Sequence, residues 1–427
     1  MMKRLRLPNL LLILILSSGC AGSFNPQSVE QVAFLERAIS QERDDVRVTV
    51  AVPSAKETQQ LFADNLYRRK VQPVWIEIEN NRDEPVIFLP VGLDPSYFSP
   101  AEVANFDMED PHGQFDLERS IYYVKASLDI WLKPGETRSG FIFTNLDEGT
   151  KSFNVDITTE TDIVSFTFFV PVPGLKIDHH EVDWASLHEP DEVFEVDEHT
   201  LIDAIARQDC CATDKKGEGT ADPLNLIVIG TIDDLYYSFL RAGWDETEVV
   251  SSTSTLKTIG SFLSGGEYRY SPVSSLYVFG RQQDVAFQKT RDNINERNHL
   301  RLWMSPALFE GKPVWIGQIS RDIGVHFTKK TITTHKIDPN VDETREYLME
   351  NLAYAQSLTK FGYAEGVGAA PADAPRGNLT GDPYFTDGYR IVLWLSDSPV
   401  DLAEIELVDW ATPPNRRPPD EVRRARD

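Results

Sequence analysis

The chain has 427 residues and a formal net charge of −25, from 67 acidic and 42 basic side chains. This length is sufficient for two or three domains, each with its own hydrophobic core. Such an excess of negative charge excludes nucleic acid as a partner and argues against broad adhesion to anionic lipid. Three cysteines are too few for a disulfide scaffold.

The first twenty residues have the pattern of an export signal. Three basic residues precede an apolar run, Leu10–Leu16, that is too short to span a bilayer. The segment Ser17–Cys20 follows, and Cys20 resembles the lipid-modified cysteine of a bacterial lipobox, although Ser17 replaces the usual leucine. The alternative is a plain secretory peptide that leaves Cys20 unmodified. Removal of residues 1–19 would change the net charge to −28, because three basic residues are lost: Lys3, Arg4 and Arg6.

The expected location follows from this signal. After Leu16 no apolar run is long enough to cross a membrane. Acyl chains on Cys20 would therefore hold the protein at a membrane, with residues 20–44 as a tether. Ala21 and Gly22 lack the aspartate that resembles an inner-membrane retention signal, so we expect the outer membrane, facing the periplasm.

Residues 45–176 carry a β pattern that predicts an immunoglobulin-like β-sandwich. Val74–Glu79 alternates apolar and polar residues, residues 80–85 are typical of a turn, and Val86–Leu89 continues as a strand, which predicts a hairpin. Ser99 and Glu102 form a capping box around a proline, which predicts a short helix. Further strands at regular spacing are expected at Tyr122–Trp131, Ser139–Phe143, Phe153–Ile157 and Ile163–Val170.

Residues 177–221 are acidic and are interpreted as a linker with one helix near Leu201–Ala206. His179-His180-Glu181 could be proposed as metal ligands, but neighbours in sequence rarely point at one centre, which favours a solvated linker. Cys210-Cys211 could form a vicinal disulfide, pair between chains or stay free. We favour an incidental pair in a linker.

From residue 222 to about 400 the pattern predicts a layered α/β or α+β domain with a mixed, largely antiparallel sheet. Asn225–Gly230 has the continuous apolar character of a buried strand, and Thr231 caps a helix that ends at Gly243. Residues 401–427 form a tail rich in proline and arginine, for which we expect disorder. The other expected elements are strands at 275–281, 284–289, 299–304, 314–320 and 389–395, and a helix at 342–358.

The strand His299–Trp303 carries the first candidate site. Its period of two places His299, Arg301 and Trp303 on one face. An imidazole beside a guanidinium attracts an anion, phosphate especially. The alternative, which the pattern supports equally, is an exposed face on which the tryptophan packs against the arginine stem.

The helix after residue 340 carries a second candidate. Arg345 lies on its apolar side and therefore requires a carboxylate, with Asp322 or Asp284 as candidates, or an anionic ligand. Asp338 and Asp342 are interpreted as helix N-caps in preference to catalytic groups.

A metal site or an acid–base pair could be built from one set of side chains, but their spacing matches no metal motif. The chain also lacks a Walker loop, a Gly-x-Ser-x-Gly elbow, His-Glu-x-x-His and Cys-x-x-Cys. No metal or cofactor is therefore assigned. The set comprises His299, His335, Asp322 and Asp342.

Seven segments, in one order along the chain, carry a resemblance to a known family. The segments are Asp222–Leu226, Ala242–Trp244, Tyr277–Gln288, His299–Trp303, Trp315–Gly317, Asp322 and Asp338–Arg345. Over residues 222–400 they resemble the LssY C-terminal domain family. The resemblance implies a setting of envelope lipids or lipid phosphates, because such domains occur beside DedA-like or phosphatidic-acid-phosphatase-like membrane modules. Asn298 stands where the family pattern has a second histidine, which weakens a two-histidine metal site.

We therefore expect an envelope lipoprotein whose LssY-like domain binds an anionic or phosphorylated envelope component, such as a lipid or glycan. The expected ligand-binding side chains are Arg281, His299, Arg301, Trp303 and Arg345. The first alternative is a hydrolase acting on a lipid phosphate or related ester, with His299 or His335 as acid–base and Asp322 as orienting group. The second is a structural lipoprotein that docks a protein partner.

Overall fold

The structure of the chain is a computed structural model that describes residues 24–105, 116–159, 162–174, 177, 182–247, 273–290, 297–326 and 334–414. The chain divides into two compact units, Met1–Leu146 with Ile157–Val164, and Asp147–Asp156 with Ser165–Asp427. Within the described residues, no helix combines the length and apolar character needed to cross a bilayer.

The first unit is built on an antiparallel sheet of order β1-β2-β3-β6. Short 3₁₀ helices lie at Val29–Gln31, Ala33–Arg37, Leu66–Arg69 and Pro90–Gly92. The longer elements are β1 (Ile39–Arg43), β2 (Val46–Ala51), α1 (Ala55–Phe62), β3 (Val71–Asn80), β4 (Val86–Leu89), α2 (Pro100–Ala104), α3 (Leu117–Ala126), β5 (Trp131–Leu132) and β6 (Thr137–Asn145). The strands β7 (Thr150–Thr158) and β8 (Ile163–Pro171) each contain residues of both units.

Aromatic side chains fill the core between this sheet and its helices. Phe62 of α1 lies 5.0 Å from Tyr123 of α3 and 5.1 Å from Phe141 of β6, measured between ring centroids. All three rings are buried. Such edge-on and tilted contacts add to the hydrophobic gain from burial.

The predicted hairpin is wrong, although both of its strands exist. β3 pairs with β2 on one side and β6 on the other, and β4 pairs with β5 in a different sheet. Because both edges of β3 are occupied, β4 cannot add to it. The Asn80 side chain instead ties the connection together, donating from Nδ2 to the carbonyl oxygens of Glu84 at 2.9 Å and Lys133 at 3.0 Å.

The strand predicted over Tyr122–Trp131 is also wrong, because α3 occupies residues 117–126. The Asp116 side chain accepts from Arg119 N at the start of this helix, and Ser120 and Tyr123, three residues apart, face the core. Burial at helical spacing here overrides the strand propensity of the Ile121–Val124 segment. The capping box at Ser99 and the strands around residues 139–143, 153–157 and 163–170 are confirmed.

The second unit contains a mixed sheet of order β13-β16-β17-β18-β12-β23-β20-β24, in which β19 also pairs with β18 and β9 with β17. Short 3₁₀ helices lie at Trp184–Ser186 and Leu402–Glu404. The first elements are β9 (Phe194–Val196), α4 (Glu198–Arg207), β10 (Cys211–Thr213), β11 (Thr220–Pro223), β12 (Leu226–Ile229), α5 (Ile232–Arg241), β13 (Asp245–Glu246), β14 (Tyr277–Val278), β15 (Arg281–Gln282) and β16 (Val285–Thr290). The remainder are β17 (Arg297–Phe309), β18 (Lys312–His326), β19 (Thr334–Ile337), α6 (Val341–Tyr354), β20 (Leu358–Glu365), β21 (Arg376–Gly377), β22 (Pro383–Tyr384), β23 (Tyr389–Leu395) and β24 (Glu406–Val408).

Two hydrophobic cores lie on the two faces of this sheet. Phe239 of α5 and Leu348 of α6 belong to one core, together with Leu300 of β17. Leu201 of α4 belongs to the other, together with Trp303 of β17. The alternation of β17 residues between these cores is the direct result of the strand period of two.

Most expected elements of the second unit are confirmed, with some changes of boundary. The helix capped by Thr231 is α5, and the helix near Leu201–Ala206 is α4, inside the expected linker. The expected strand 275–281 is two short strands, β14 and β15, and the expected helix 342–358 ends at Tyr354. β24 lies in the expected tail, and residues 415–427 lie outside the described part.

A buried carboxylate in this unit should make stability depend on pH. Thr150 donates to Glu246 from its backbone nitrogen at 2.8 Å and from Oγ1 at 2.9 Å. Burial raises the pKa of Glu246 from 4.5 to about 7. Between pH 4.5 and about 7, the Glu246 carboxyl group is therefore protonated in the folded state and ionised in the unfolded state.

We predict that the free energy of unfolding falls as pH rises from 4.5 to about 7, and that Glu246→Gln removes this part of the dependence. Urea denaturation at several pH values tests it. The matched control is Glu404→Gln, at an exposed position. A variant Glu246→Gln with the same pH profile as the wild type would contradict the prediction.

Candidate functional site

Polar side chains from three neighbouring strands meet on one face of the second sheet. In β17, Arg297, His299 and Arg301 alternate onto this face. The antiparallel register places His299 opposite Ser320, and Arg301 opposite Gln318, in β18. On the other side of β17, Gln288 of β16 lies opposite His299. We call the seven residues the polar cluster: Gln288, Arg297, His299, Arg301, Gln318, Ser320 and Asp322.

One chain of hydrogen bonds runs through the cluster. Arg301 Nη1 donates to Gln318 Oε1 at 2.6 Å, and Gln318 Nε2 donates to Ser320 Oγ at 2.7 Å. Ser320 Oγ lies 3.1 Å from His299 Nε2. Because Ser320 already accepts from Gln318, its hydroxyl proton is available for His299 Nε2.

Asp322 lies beside His299, where this chain ends. Arg297 Nε donates to Asp322 Oδ2 at 3.1 Å, and Arg297 also donates to Gln288. His299 Nδ1 lies 3.5 Å from Asp322 Oδ1, which is an ion-pair distance, and no hydrogen bond joins these two atoms.

The cluster is almost completely shielded from solvent. Ser320 and Gln318 are 0% exposed, Asp322 is 1%, and His299, the most exposed member, is 6%. Burial lowers the pKa of Arg301 to about 10, while Asp222 and Asp322 oppose this effect. Buried charges of this kind are stable only when they are paired and hydrogen-bonded.

Arg301 is a buried member of the cluster that contacts an exposed residue. Its Nε donates to the carbonyl oxygen of Ser274 at 2.9 Å, and its Nη2 donates to Ser274 Oγ at 3.1 Å. Ser274 is exposed. The guanidinium fork therefore holds two oxygens of a residue that faces solvent, in the geometry that it would use for two oxygens of an anion.

Two further expected site residues have structural roles. Arg281 makes a bidentate pair with Asp284, at 2.9 and 3.0 Å, and donates to the carbonyl oxygen of Met304 at 2.6 Å. Trp303 is fully buried in the core, and its Nε1 donates to the carbonyl oxygen of Arg281 at 3.2 Å. Neither residue contacts the polar cluster through these bonds.

Arg345 forms a separate cluster at the start of α6. It is 0% exposed and lies 2.9 Å from Asp387, 3.1 Å from Glu346 and 3.3 Å from Asp342. Burial opposes its charge, but the three carboxylates outweigh this effect and raise its pKa. The expectation of a carboxylate partner is confirmed.

The expected identity of that partner is wrong, because Asp322 and Asp284 pair with Arg297 and Arg281. Three other carboxylates lie closer to Arg345. Asp342 and Glu346 lie on the same helix as Arg345, and Asp387 comes from the loop before β23.

The expected N-caps of α6 are wrong as well. The N-cap residue is Asn340, and Asp338 Oδ1 accepts from Asn340 N at 3.0 Å. Asp342 lies in the first turn, where its carboxylate accepts from Thr386 Oγ1 at 2.7 Å and from Asp387 N at 2.6 Å. Burial raises the pKa of Asp342.

Several expected residues lie partly or wholly outside the described part. The backbone of His335 pairs with Val325 in β18, but its side chain lies outside the description. Cys20 and His179-His180-Glu181 lie outside it completely. Among the residues that the structure describes, no three histidine, cysteine or acidic side chains come together in a way that could hold a metal ion.

Sequence reasoning missed four members of the polar cluster, namely Arg297, Ser320, Gln318 and Gln288. A signal for two of them exists, because Ser320 and Gln318 precede Asp322 at a spacing of two in a predicted strand. Arg297 continues the spacing of His299 and Arg301 in the same way.

Arg345 can be tested for a purely structural role. We predict that Arg345→Gln lowers the free energy of unfolding by about 3 kcal/mol or more, because it leaves buried carboxylates uncompensated. The control Arg321→Gln removes a half-buried arginine of β18 and should cost less than about 1 kcal/mol. Urea denaturation measures both, and a fully stable Arg345→Gln variant would contradict the structural role.

Comparison with known proteins gives one result for the region that contains the polar cluster. A comparison with curated proteins gave no match. The family model described as the LssY C-terminus matches residues 204–389, and so begins before the expected boundary at residue 222. The matched residues 204–389 include the whole polar cluster, so this part of the chain is similar to the LssY C-terminus family.

Proposed function

We propose that the LssY C-terminal domain binds an anionic group, a phosphate in particular, through the polar cluster. The observation that carries the proposal is the pair of Arg301 contacts with Ser274, at 2.9 and 3.1 Å. An anion that replaces these two oxygens gains charge-assisted hydrogen bonds with a guanidinium whose position Gln318 already fixes. The fixed position reduces the ordering cost of binding.

The charges around Arg301 are balanced. Asp322 and Asp222 act on Arg301, and Arg297 is the second cation of the cluster. Two guanidiniums therefore lie near two carboxylates. The attraction for an anion rests on the directed donors of Arg301 and not on an excess of positive charge.

Arg301 gives the direct test of binding. We predict that Arg301→Gln weakens binding of inorganic phosphate by about tenfold or more, since a charged bidentate contact is lost. Arg301→Lys should weaken it as well, because an ammonium group lacks the fork. Calorimetry with phosphate, and flotation with vesicles containing phosphatidic acid or only phosphatidylcholine, would measure the effect.

The matched control is Arg321→Gln. Arg321 lies in β18 on the opposite face, 5.6 Å from the ring of Tyr347, so the variant removes the same charge without touching the cluster. It should bind phosphate as the wild type does. Equal binding by Arg301→Gln, with an unchanged circular dichroism spectrum, would reject the proposal.

The contacts of Ser320 favour hydrolysis as a second candidate function. Ser320, His299 and Asp322 follow one another at 3.1 and 3.5 Å, which is the order of nucleophile, base and orienting carboxylate. In this reaction Ser320 Oγ would attack an ester and pass its proton to His299, which would protonate the alcohol that leaves. Water would then cleave the acyl or phosphoryl group from Ser320 and complete the hydrolysis. Complete burial of Ser320 requires that the covering residues move before a substrate can enter.

For this second candidate we predict that Ser320→Ala and His299→Gln each lower the hydrolysis of p-nitrophenyl esters or p-nitrophenyl phosphate by at least about 100-fold. Arg321→Gln should keep the activity. Hydrolysis that survives Ser320→Ala would reject this second candidate. The absence of hydrolysis of either substrate class by the wild type would reject it too, and anion binding would then be the one proposed function.

The setting of the domain completes the proposal. We propose an immunoglobulin-like sandwich in residues 45–176 as spacer or docking module, and acylated Cys20 as an anchor in the outer membrane. The antiparallel pairing of β1, β2, β3 and β6 supports the first part, and the basic and apolar pattern of residues 3–16 supports the second. The anchor would bring the domain close to the anionic lipids and glycans of the envelope.

Cys20 gives the test of this anchor. We predict that Cys20→Ser moves the protein from the membrane fraction to the soluble envelope fraction, because no acyl chain can be attached. Mass spectrometry of the N-terminal peptide of the wild type should show the acyl mass on Cys20. A peptide with unmodified Cys20 would support a plain secretory signal instead.

A further inference from the structure

Two adjacent cysteines form a disulfide directly after α4, so the favoured interpretation of an incidental pair in a linker is wrong. The bond joins Cys210 to Cys211, which are neighbours in sequence. A disulfide stabilises a fold mainly by closing a long loop in the unfolded chain, and this one closes the shortest possible loop. Fold stabilisation is therefore a poor explanation for the bond.

The backbone around the disulfide is held by other contacts. Arg390 is fully buried and donates to the carbonyl oxygens of Gln208 and Asp209, at 2.7 Å each. Leu224 N donates to the carbonyl oxygen of Cys210 at 2.8 Å. Because these bonds fix the turn on both sides, the disulfide can open without loss of the fold.

A cavity of about 400 Å³ lies beside the disulfide, and Cys211 is part of its wall. This volume is within the range of small-molecule sites. Arg207 at the end of α4 and Tyr277 of β14 line the same cavity. A cation near a sulfur favours the thiolate form that takes part in disulfide exchange.

Phe279 at the rim of this cavity has an unusual backbone. Phe279 and Gly280 connect β14 to β15, with φ angles of +55° and +73°. Both positions favour glycine or asparagine, and a bulky residue there is strained. The ring is nevertheless 45% exposed, and Arg281 packs over it at 5.4 Å. Strain of this kind persists where the side chain serves a function.

We propose that Cys210–Cys211 is a thiol–disulfide exchange site and that this cavity takes a small peptide thiol. The thiolate of the ligand attacks Cys211 Sγ, the bond between the two cysteines breaks, and Cys210 leaves as a thiolate and is protonated. A second thiol then displaces Cys211 from the mixed disulfide. Two electrons and two protons pass to the protein, and two ligand thiols become one disulfide. This inference does not depend on the proposed anion site.

The positions of the two cysteines set this direction of attack. Cys211 is 6% exposed and lines the cavity, so a ligand seated there lies beside Cys211. Cys210 is half-buried and can be protonated by solvent. Phe279 and Tyr277 would hold the body of a peptide thiol, whereas a very small thiol needs neither ring.

The experiment uses the purified full chain and two thiols, glutathione and 2-mercaptoethanol. After acid quenching and alkylation, mass spectrometry of the peptide that contains residues 210–211 measures the rate of opening. We expect opening with an unchanged circular dichroism spectrum, and a glutathione adduct on Cys211. Phe279→Gly, which suits the backbone angle, should slow opening by glutathione about fivefold and leave the rate with 2-mercaptoethanol unchanged.

Other results would overturn the proposal. Opening only under denaturing conditions would show that the bond is inert in the folded protein. Two free thiols in protein purified without reductant would show that the bond does not form. If Phe279→Gly changed the rate of opening equally with both thiols, or with neither, the cavity would have no part in the reaction.

Discussion

The second unit depends on the burial of two guanidiniums, an imidazole and a carboxylate between strands of one sheet. Transfer of such groups from water into the protein has a large cost in free energy unless each one is paired or hydrogen-bonded there. Here the strand register supplies the partners, because His299 faces Ser320 and Arg301 faces Gln318 across a single pairing of β17 with β18. A slip of one residue would move the whole row to the other face. The polar cluster therefore fixes the register as firmly as the apolar core does.

Three buried arginines of this unit are stabilised against desolvation in three different ways. Arg345 has carboxylates around it, and Arg390 has backbone carbonyl oxygens. Arg301 has an amide oxygen on one side and the exposed Ser274 on the other. Of these three, Arg301 has the fork whose partners can most easily exchange for a ligand. This difference, and not the number of charges, is the reason that the anion site is proposed at Arg301 and not at the ion pairs of Arg345.

Sequence patterns predicted those features that depend on neighbours along the chain. The caps at Ser99 and Thr231, the buried strand at Leu226–Ile229 and the shared face of His299 and Arg301 all follow from local spacing. Pairing between distant segments did not follow, as the separate sheets of β3 and β4 show. The partner Asp387 of Arg345 was missed for the same reason, since it comes from a distant loop, whereas Asp342 and Glu346 lie on the same helix as Arg345. Ser320 was missed because its spacing of two from Asp322 does not by itself distinguish it from an ordinary strand serine. Its neighbour across the sheet, His299, makes that distinction.

The most direct measurement is an experimental structure of the full chain with phosphate or vanadate bound. We expect two oxygens of the anion within hydrogen-bond distance of Arg301 Nε and Nη2, where the carbonyl oxygen and Oγ of Ser274 lie in the free protein. The contact of Arg301 with Gln318 should remain. An anion bound elsewhere, with Arg301 still holding Ser274, would reject the proposed anion site and make the polar cluster a structural element of the sheet.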